Sequence, residues 1–114
     1  MITLYGISNC DSVKKARYWL DQQCLVYQFH DFRSNGIDLQ QITQWCQQCG
    51  WSTVLNQRST TWRHLPDDIK NAVNADNVAT LLLAHPTLIK RPVLAYKNKT
   101  HMGFSEAEYQ KIFA

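Results

Sequence analysis

Residues 2–13 read ITLYGISNCDSV, and they predict the strand, turn and helix with which the fold begins. Residues 2–5 form a short apolar run that predicts a strand, residues 6–9 predict a tight turn, and an amphipathic helical pattern follows from Asp11. Cys10 is therefore expected at a strand-to-helix junction, where free backbone N–H groups and the helix dipole favour negative charge. Such surroundings lower the pKa of a cysteine below its usual value of about 8.5, and the thiolate is the nucleophile. We expect redox or anion-displacement chemistry at Cys10.

The composition is that of a soluble folded protein. The chain has 114 residues, of which 45% are hydrophobic, with four glycines and three prolines, which argues against a disordered or fibrous protein. This length predicts a single domain over residues 1–114. No apolar run approaches the roughly 20 residues of a membrane span, and the N-terminus lacks a signal-peptide pattern. We expect a cytoplasmic protein without a membrane partner.

The charge pattern bears on the class of ligand. The net charge is +3, with scattered lysines and arginines, which suits small anions and argues against a nucleic-acid partner. In a reducing compartment the four cysteines are expected to be free thiols.

The order of predicted elements indicates the fold class. A helix from Asp11 and a strand within residues 25–32 complete a β-α-β unit, which almost always places its two strands parallel. Asp38 is predicted to cap a second helix that ends at Gly50, and further helices are predicted from Pro66 and over residues 77–84. A strand up to residue 96, a return strand and a closing helix from Ser105 follow. We predict an α/β, thioredoxin-like fold: a four-stranded mixed sheet flanked by helices, with a helical insertion at about residues 37–85.

The other cysteines are weaker candidates for chemistry. Val13 stands three residues after Cys10, so this position has no C-x-x-C pair. Any disulfide that Cys10 makes must be resolved by another cysteine or by an external thiol such as glutathione. Cys46 and Cys49 form a C-x-x-C on the apolar stripe of the second helix, which favours packing. No second Cys/His pair at ligand spacing completes a zinc site, so we predict no metal. Cys24 is expected in the core.

Several residues could bind an anion or modify the nucleophile. Arg33, Arg58 and Arg91 are candidate anion clamps, because a guanidinium offers forked donors to oxyanions and carboxylates. Arg91 precedes Pro92 at a strand entrance, where a cis peptide bond would turn backbone polar groups toward the sheet edge of Cys10. The neighbouring Asp11 would raise the pKa of the thiol, unless it caps the helix and backbone N–H groups bind its charge.

Five motifs occur in order along nearly the whole chain, at residues 6–16, 27–33, 55–63, 85–93 and 103–104. With these motifs the chain resembles proteins of the ArsC/Spx family, in particular the YffB branch. The resemblance implies a thioredoxin-like fold with a helical insertion.

The resemblance also implies an activity. In ArsC-type arsenate reductases the cysteine that matches Cys10 attacks the oxyanion, arginines that match Arg58 and Arg91 hold it, and glutathione with glutaredoxin completes the reduction. Asn9 and Pro92 belong to the same implied anion-binding set. A further family arginine has no counterpart here, because residues 103–105 read GFS. The YffB branch is thought to contain glutathione-dependent thiol reductases.

Three functions are therefore under consideration. We expect a glutathione-dependent thiol reductase with Cys10 as its only nucleophile and glutathione as a co-substrate, with no bound cofactor. The first alternative is an arsenate reductase linked to glutathione and glutaredoxin. The second is an Spx-like regulator that binds RNA polymerase. Such regulators usually carry a C-x-x-C motif at the active position, whereas this chain has Val13 in place of the second cysteine, which argues against that redox switch.

Overall fold

The computed structural model describes all residues from 1 to 114. The four strands are β1 (Ile2–Gly6), β2 (Tyr27–Asp31), β3 (Val93–Tyr96) and β4 (Lys99–Met102). The eight helices are α1 (Asp11–Gln22), α2 (Phe32–Asn35), α3 (Leu39–Cys49), α4 (Trp51–Val54), α5 (Thr60–Arg63), α6 (Asp67–Ala72), α7 (Val78–Ala84) and α8 (Glu106–Ile112). One 3-10 helix covers Pro86–Leu88.

The strands form one mixed sheet in the order β2-β1-β3-β4. β1 and β2 are parallel, with Leu4 opposite Phe29, whereas β1 and β3, and β3 and β4, are antiparallel. The α/β, thioredoxin-like class with a four-stranded mixed sheet is thus confirmed. Because Tyr5 pairs with Val93 and Val93 with Met102, the end of β1, the start of β3 and the end of β4 lie at one edge of the sheet. Cys10 follows β1 at that edge.

The chain divides into two compact units. The first comprises Met1–Gly36 and Arg91–Ala114, and it holds the whole sheet with α1, α2 and α8. Its core joins one face of the sheet to α1 and α8 through buried apolar side chains of Ile2, Leu4, Ala16, Trp19, Leu20, Leu94 and Tyr109. Burial of this kind contributes roughly 25 cal/mol per Å² of apolar surface removed from water, so this core holds α1, and with it Cys10, against the sheet.

The second unit, Ile37–Lys90, contains α3 to α7 and the 3-10 helix. Asp38 caps α3 by accepting a 2.8 Å hydrogen bond from the backbone N–H of Gln41, as the sequence predicts. Gly50 follows α3 with a φ of 85°, a left-handed conformation that favours glycine. The N–H of Lys90 donates to the carbonyl of Val54 at 2.8 Å, and this bond ties the last residue of the unit to the end of α4.

Some sequence-based expectations were wrong. Cys24 is exposed with a φ of 56°, because the chain turns after α1 and this residue points away from the core. Asp11 does not cap α1: the cap position is Cys10, and Asp11 is the first helical residue. The sequence places Leu39 at the start of the apolar stripe of the second helix, but Leu39 is 44% exposed and the buried stripe of α3 begins at Ile42. The short helix α2 was not predicted, because its four residues are too few to show a helical period.

None of the helices is both long and apolar enough to cross a membrane.

Candidate active site

Cys10 lies at the start of α1, directly after the turn that leaves β1. Its backbone N–H donates to the carbonyl of Ile7 at 3.2 Å, which closes the turn, and its own carbonyl accepts the first helical hydrogen bond, from Lys14 at 2.9 Å. It therefore occupies the N-cap position with extended backbone angles, and it is half-buried. The local sequence thus fixes a thiol where the first N–H groups of a helix lack intrahelical partners.

Gly6 is what allows this turn to lie so close to the helix. A Cβ at position 6 would come within 2.6 Å of Cγ2 of Val13, which is fully buried. Only a residue without a side chain lets the end of β1 approach the first turn of α1 at this distance. The close approach therefore determines where Cys10 is held.

The surroundings of Cys10 favour its thiolate. Burial by itself raises the pKa of Cys10, but hydrogen bonding from the Val13 backbone N–H, the hydrogen bond and charge of the Arg91 guanidinium, and the N–H of Ser12 outweigh it. The pKa of Cys10 is therefore lowered. Ser12 and Val13 are the N2 and N3 positions of α1, whose backbone N–H groups have no intrahelical partner.

Arg91 and Pro92 enter the site from the start of β3. The Arg91 guanidinium hydrogen-bonds the Cys10 side chain, so the structure brings together two residues that are far apart in sequence. The Arg91–Pro92 peptide bond is cis, as the sequence suggests. The carbonyl of Pro92 accepts a 2.8 Å hydrogen bond from the N–H of Gly103, which ties the loop after β4 to the same edge of the sheet.

The remaining predicted anion-binding residues are less constrained. Asn9 is exposed in the turn immediately before Cys10. Arg58 belongs to the second compact unit, where its backbone N–H donates to Oδ1 of Asn56 at 3.1 Å and its side chain is exposed. Binding of an anion by Asn9, Arg58, Arg91 and Pro92 stays a prediction. Arg33 is exposed, and its backbone N–H donates to the carboxylate of Asp31 at 2.8 Å.

Asp31 is a site residue that the sequence analysis missed. Its carboxylate caps α2 and also accepts hydrogen bonds from the backbone and side chain of Ser8, in the turn before Cys10. The pKa of Asp31 is lowered, mainly by the hydrogen bond from the N–H of Arg33 and further by those from the N–H groups of Ser8 and Ser34. Asp31 thus links the end of β2 to the turn that presents the nucleophile. An aspartate followed by the polar run 33–36 is the capping signal that could have identified it.

The other three cysteines have different environments. Burial raises the pKa of Cys49, and burial together with the neighbouring Cys49 raises the pKa of Cys46, while Cys24 is exposed. A raised pKa makes a thiol a poorer nucleophile near neutral pH. No group of three or more histidine, cysteine, aspartate or glutamate side chains is placed to hold a metal ion.

Comparison with known proteins identifies the family. A model of the ArsC family matches residues 5–112. A protein of Haemophilus influenzae without an assigned function is 46% identical over the full length of both chains. A solved structure of a protein named YFFB is 42% identical and superposes with a TM-score of 0.96 over all of both chains.

Two further similarities carry functional names. An arsenate reductase (ArsC) related protein from Brucella melitensis is 40% identical, with a TM-score of 0.79 over 98% of this chain and 93% of that one. A global transcriptional regulator Spx from Bacillus cereus is 27% identical over 97% of this chain and 86% of its own length. The resemblance seen in the sequence motifs is confirmed: the chain belongs to the ArsC family.

Proposed function

We propose that this protein is a glutathione-dependent thiol reductase in which Cys10 is the only nucleophile. The observation that carries the proposal is the environment of Cys10, where backbone N–H groups at the start of α1 and the Arg91 guanidinium stabilise the thiolate. The cytoplasm is the expected location, because glutathione there keeps thiols reduced.

The reaction has two exchange steps. The Cys10 thiolate attacks one sulfur of a disulfide, a new S–S bond forms to Cys10, and the second sulfur leaves as a thiolate that takes up a proton from water. A glutathione thiolate then attacks the mixed disulfide, which releases the Cys10 thiolate and carries the other half away. Glutathione is thus the reductant and no bound cofactor is needed.

The surrounding residues have roles in this proposal. Arg91, which already lies beside Cys10, and Arg58 bind carboxylates of glutathione, since a guanidinium offers paired donors to a carboxylate. Asn9, which precedes Cys10 in the turn, and Pro92, which follows Arg91, are proposed to orient the disulfide. No second cysteine resolves the adduct within the motif, because Val13 takes the place of one.

Turnover of a glutathione mixed disulfide in the presence of glutathione tests this function. Cys10→Ser should abolish turnover, whereas Cys46→Ser and Cys49→Ser should retain it, and mass spectrometry should find a glutathione adduct on Cys10 alone. Cys24→Ser is the control for removing an exposed thiol. Activity that survives Cys10→Ser would refute the assignment.

Arsenate reduction is the second candidate, favoured by the similarity to the arsenate reductase related protein of Brucella melitensis. The Cys10 thiolate would displace water from arsenate to form an S–As bond. Two glutathione thiols would supply two electrons, with glutaredoxin as partner, giving arsenite and glutathione disulfide. Residues 103–105 contain no arginine, so arsenate would be held by one arginine fewer than the resemblance implies for ArsC-type arsenate reductases. Arsenite formation with glutathione and glutaredoxin supplied is the corresponding measurement.

The similarity to Spx favours a third candidate, a regulator that docks onto RNA polymerase. Stoichiometric capture of RNA polymerase, together with no turnover of any disulfide, would support it over the reductase.

A further inference from the structure

A groove of about 540 Å³ lies on the surface of the first compact unit, against α1. It is lined by Lys14, Lys15, Tyr18, Trp19, Phe104 and Glu106. This volume is within the range of about 300–1,000 Å³ that is usual for small-molecule sites.

The chain places one wall of the groove within a helical turn of Cys10. The N–H of Lys14 donates to the carbonyl of Cys10, and Tyr18 lies one turn further along α1 on the same face. The opposite wall comes from Phe104, which follows Gly103, and Gly103 is hydrogen-bonded to Pro92 at 2.8 Å. The groove therefore lies between α1 and the loop after β4, and its nearest lining residue on α1, Lys14, is one helical turn from Cys10.

The inner part of the groove is aromatic and well supported. Trp19 is only 6% exposed and packs edge-on against Tyr109, with ring centroids 5.6 Å apart. Phe104 packs edge-on against the same Tyr109 ring at 4.7 Å. Tyr18, in contrast, is 67% exposed, a large aromatic side chain left open to solvent. The packed rings of Trp19 and Phe104, together with the exposed ring of Tyr18 at the rim, form a surface that suits a flat apolar group.

The rim of the groove carries unpaired charge of mostly one sign. Lys14 and Lys15 are both exposed, and neither they nor Glu106 takes part in an ion pair. Two ammonium groups beside an aromatic floor complement a carboxylate attached to an apolar or aromatic body. The single carboxylate of Glu106 would repel a second negative group at the α8 end.

We propose that this groove binds the non-glutathione half of the disulfide substrate, and that this half is a small thiol with an aromatic body and one carboxylate. The inference rests on the proposed function and specifies its substrate class. The groove holds the thiol's body while Cys10 exchanges with the S–S bond, and the reduced thiol leaves with a proton from water.

Three mixed disulfides of glutathione test the inference with the full chain: those of 4-(mercaptomethyl)benzoic acid, of 4-(mercaptomethyl)benzamide and of 2-mercaptoethanol. The first two differ in charge alone and have similar leaving thiols. We expect kcat/KM to be about tenfold higher for the aromatic amide than for the hydroxyethyl compound. We expect the carboxylate to add a further factor of about three, the usual size of an exposed ion pair.

Variants separate the two contributions. Lys14→Gln with Lys15→Gln should remove the carboxylate advantage and retain the aromatic one, whereas Tyr18→Ala should reduce the aromatic advantage. Lys99→Gln, on the exposed edge of β4, is the matched control for loss of one positive charge. Ratios between substrates cancel any change in the nucleophilicity of Cys10.

The outcomes distinguish this inference from the proposed function. Equal kcat/KM for the three compounds, or a carboxylate advantage that survives the double lysine substitution, would overturn the groove assignment and leave the reductase intact. No cleavage of any of the three would overturn both.

Discussion

Thiols lie at opposite ends of two helices in this chain, Cys10 at the start of α1 and Cys46 with Cys49 in the last turns of α3. At the start of α1, the N–H groups of Ser12 and Val13 and the guanidinium of Arg91 lower the pKa of Cys10 despite its partial burial. At the end of α3 burial is not offset by such donors, and the pKa of both thiols is raised.

In this chain the position of a cysteine on its helix determines its chemistry more than the motif around it. N–H groups point out of the start of a helix and carbonyl groups out of its end, so only the first favours an anion. The C-x-x-C motif of residues 46–49 therefore marks the less nucleophilic pair, and the single Cys10 is the candidate nucleophile.

The largest effect on the free energy of unfolding is expected from alanine substitution of Gly6, near Cys10, and of Gly50, which follows Cys49. Gly6→Ala places a Cβ 2.6 Å from Val13 Cγ2 and should lower the free energy of unfolding by about 1–3 kcal/mol, the usual cost of overpacking. It should also slow alkylation of Cys10, because the turn must move.

Gly50→Ala is the matched substitution at the end of α3. A Cβ there meets nothing within 4 Å, so only the backbone conformation, with φ 85° and ψ 132°, opposes it, at a cost of about 1–3 kcal/mol. Urea unfolding and Cys10 alkylation of both variants check the pair. Equal slowing of Cys10 by the two substitutions would contradict a local role for Gly6.

The next effect in size concerns Arg91. Arg91→Met removes the guanidinium hydrogen bond and charge, so the pKa of Cys10 should rise and alkylation at pH 7 should slow by about three- to tenfold. The reactivity of Cys46 and Cys49 should not change.

Arg17→Met is the control for this substitution. Arg17 lies on the same helix as Cys10 but hydrogen-bonds Tyr27 and covers the ring of Phe29. Iodoacetamide alkylation followed by peptide mass spectrometry measures each thiol separately. A rate at Cys10 that is the same in both variants would show that Arg91 does not stabilise the thiolate.

The smallest effect is a difference in the pH dependence of stability, because both thiol sites are partly exposed. The pKa values of Cys46 and Cys49 are raised by folding, so their contribution is complete below the unfolded pKa of about 8.5 and is lost as pH rises through the folded value. The pKa of Cys10 is lowered, so its contribution is present above the unfolded value and is lost as pH falls through the folded one.

Urea unfolding under reducing conditions at pH 7 and pH 10 measures these contributions. Cys46→Ala with Cys49→Ala should lessen the loss of stability at alkaline pH, whereas Cys10→Ala should deepen it. If both variants changed the difference in free energy of unfolding between pH 7 and pH 10 in the same direction, the two helix ends would not differ in this way.

Local signals account for what the sequence predicts well. The apolar run at the N-terminus, the turn and the helical period after Asp11 are adjacent in the chain, so the β-α-β start and the place of Cys10 could be predicted. Asp38 and Gly50 bound α3 for the same reason.

Features that depend on tertiary contacts could not be predicted from local signals. Arg91 was expected at the site from its position before Pro92 and from the family resemblance, but its hydrogen bond to Cys10 joins residues from two ends of the chain. Cys24 was expected in the core because a helical period was continued past Gln22, where the chain in fact turns out to solvent. The bonds from Ser8 to Asp31 require the parallel pairing of β1 with β2.

The pKa of Cys10 decides whether the start of α1 and Arg91 stabilise a thiolate. In a variant with Cys24→Ser, Cys46→Ser and Cys49→Ser, the rate of iodoacetamide alkylation is followed from pH 5 to pH 10, with glutathione alkylated alongside as the reference thiol. We expect a midpoint clearly below the free-cysteine value of about 8.5. A midpoint at or above that value would show that these groups do not stabilise the thiolate.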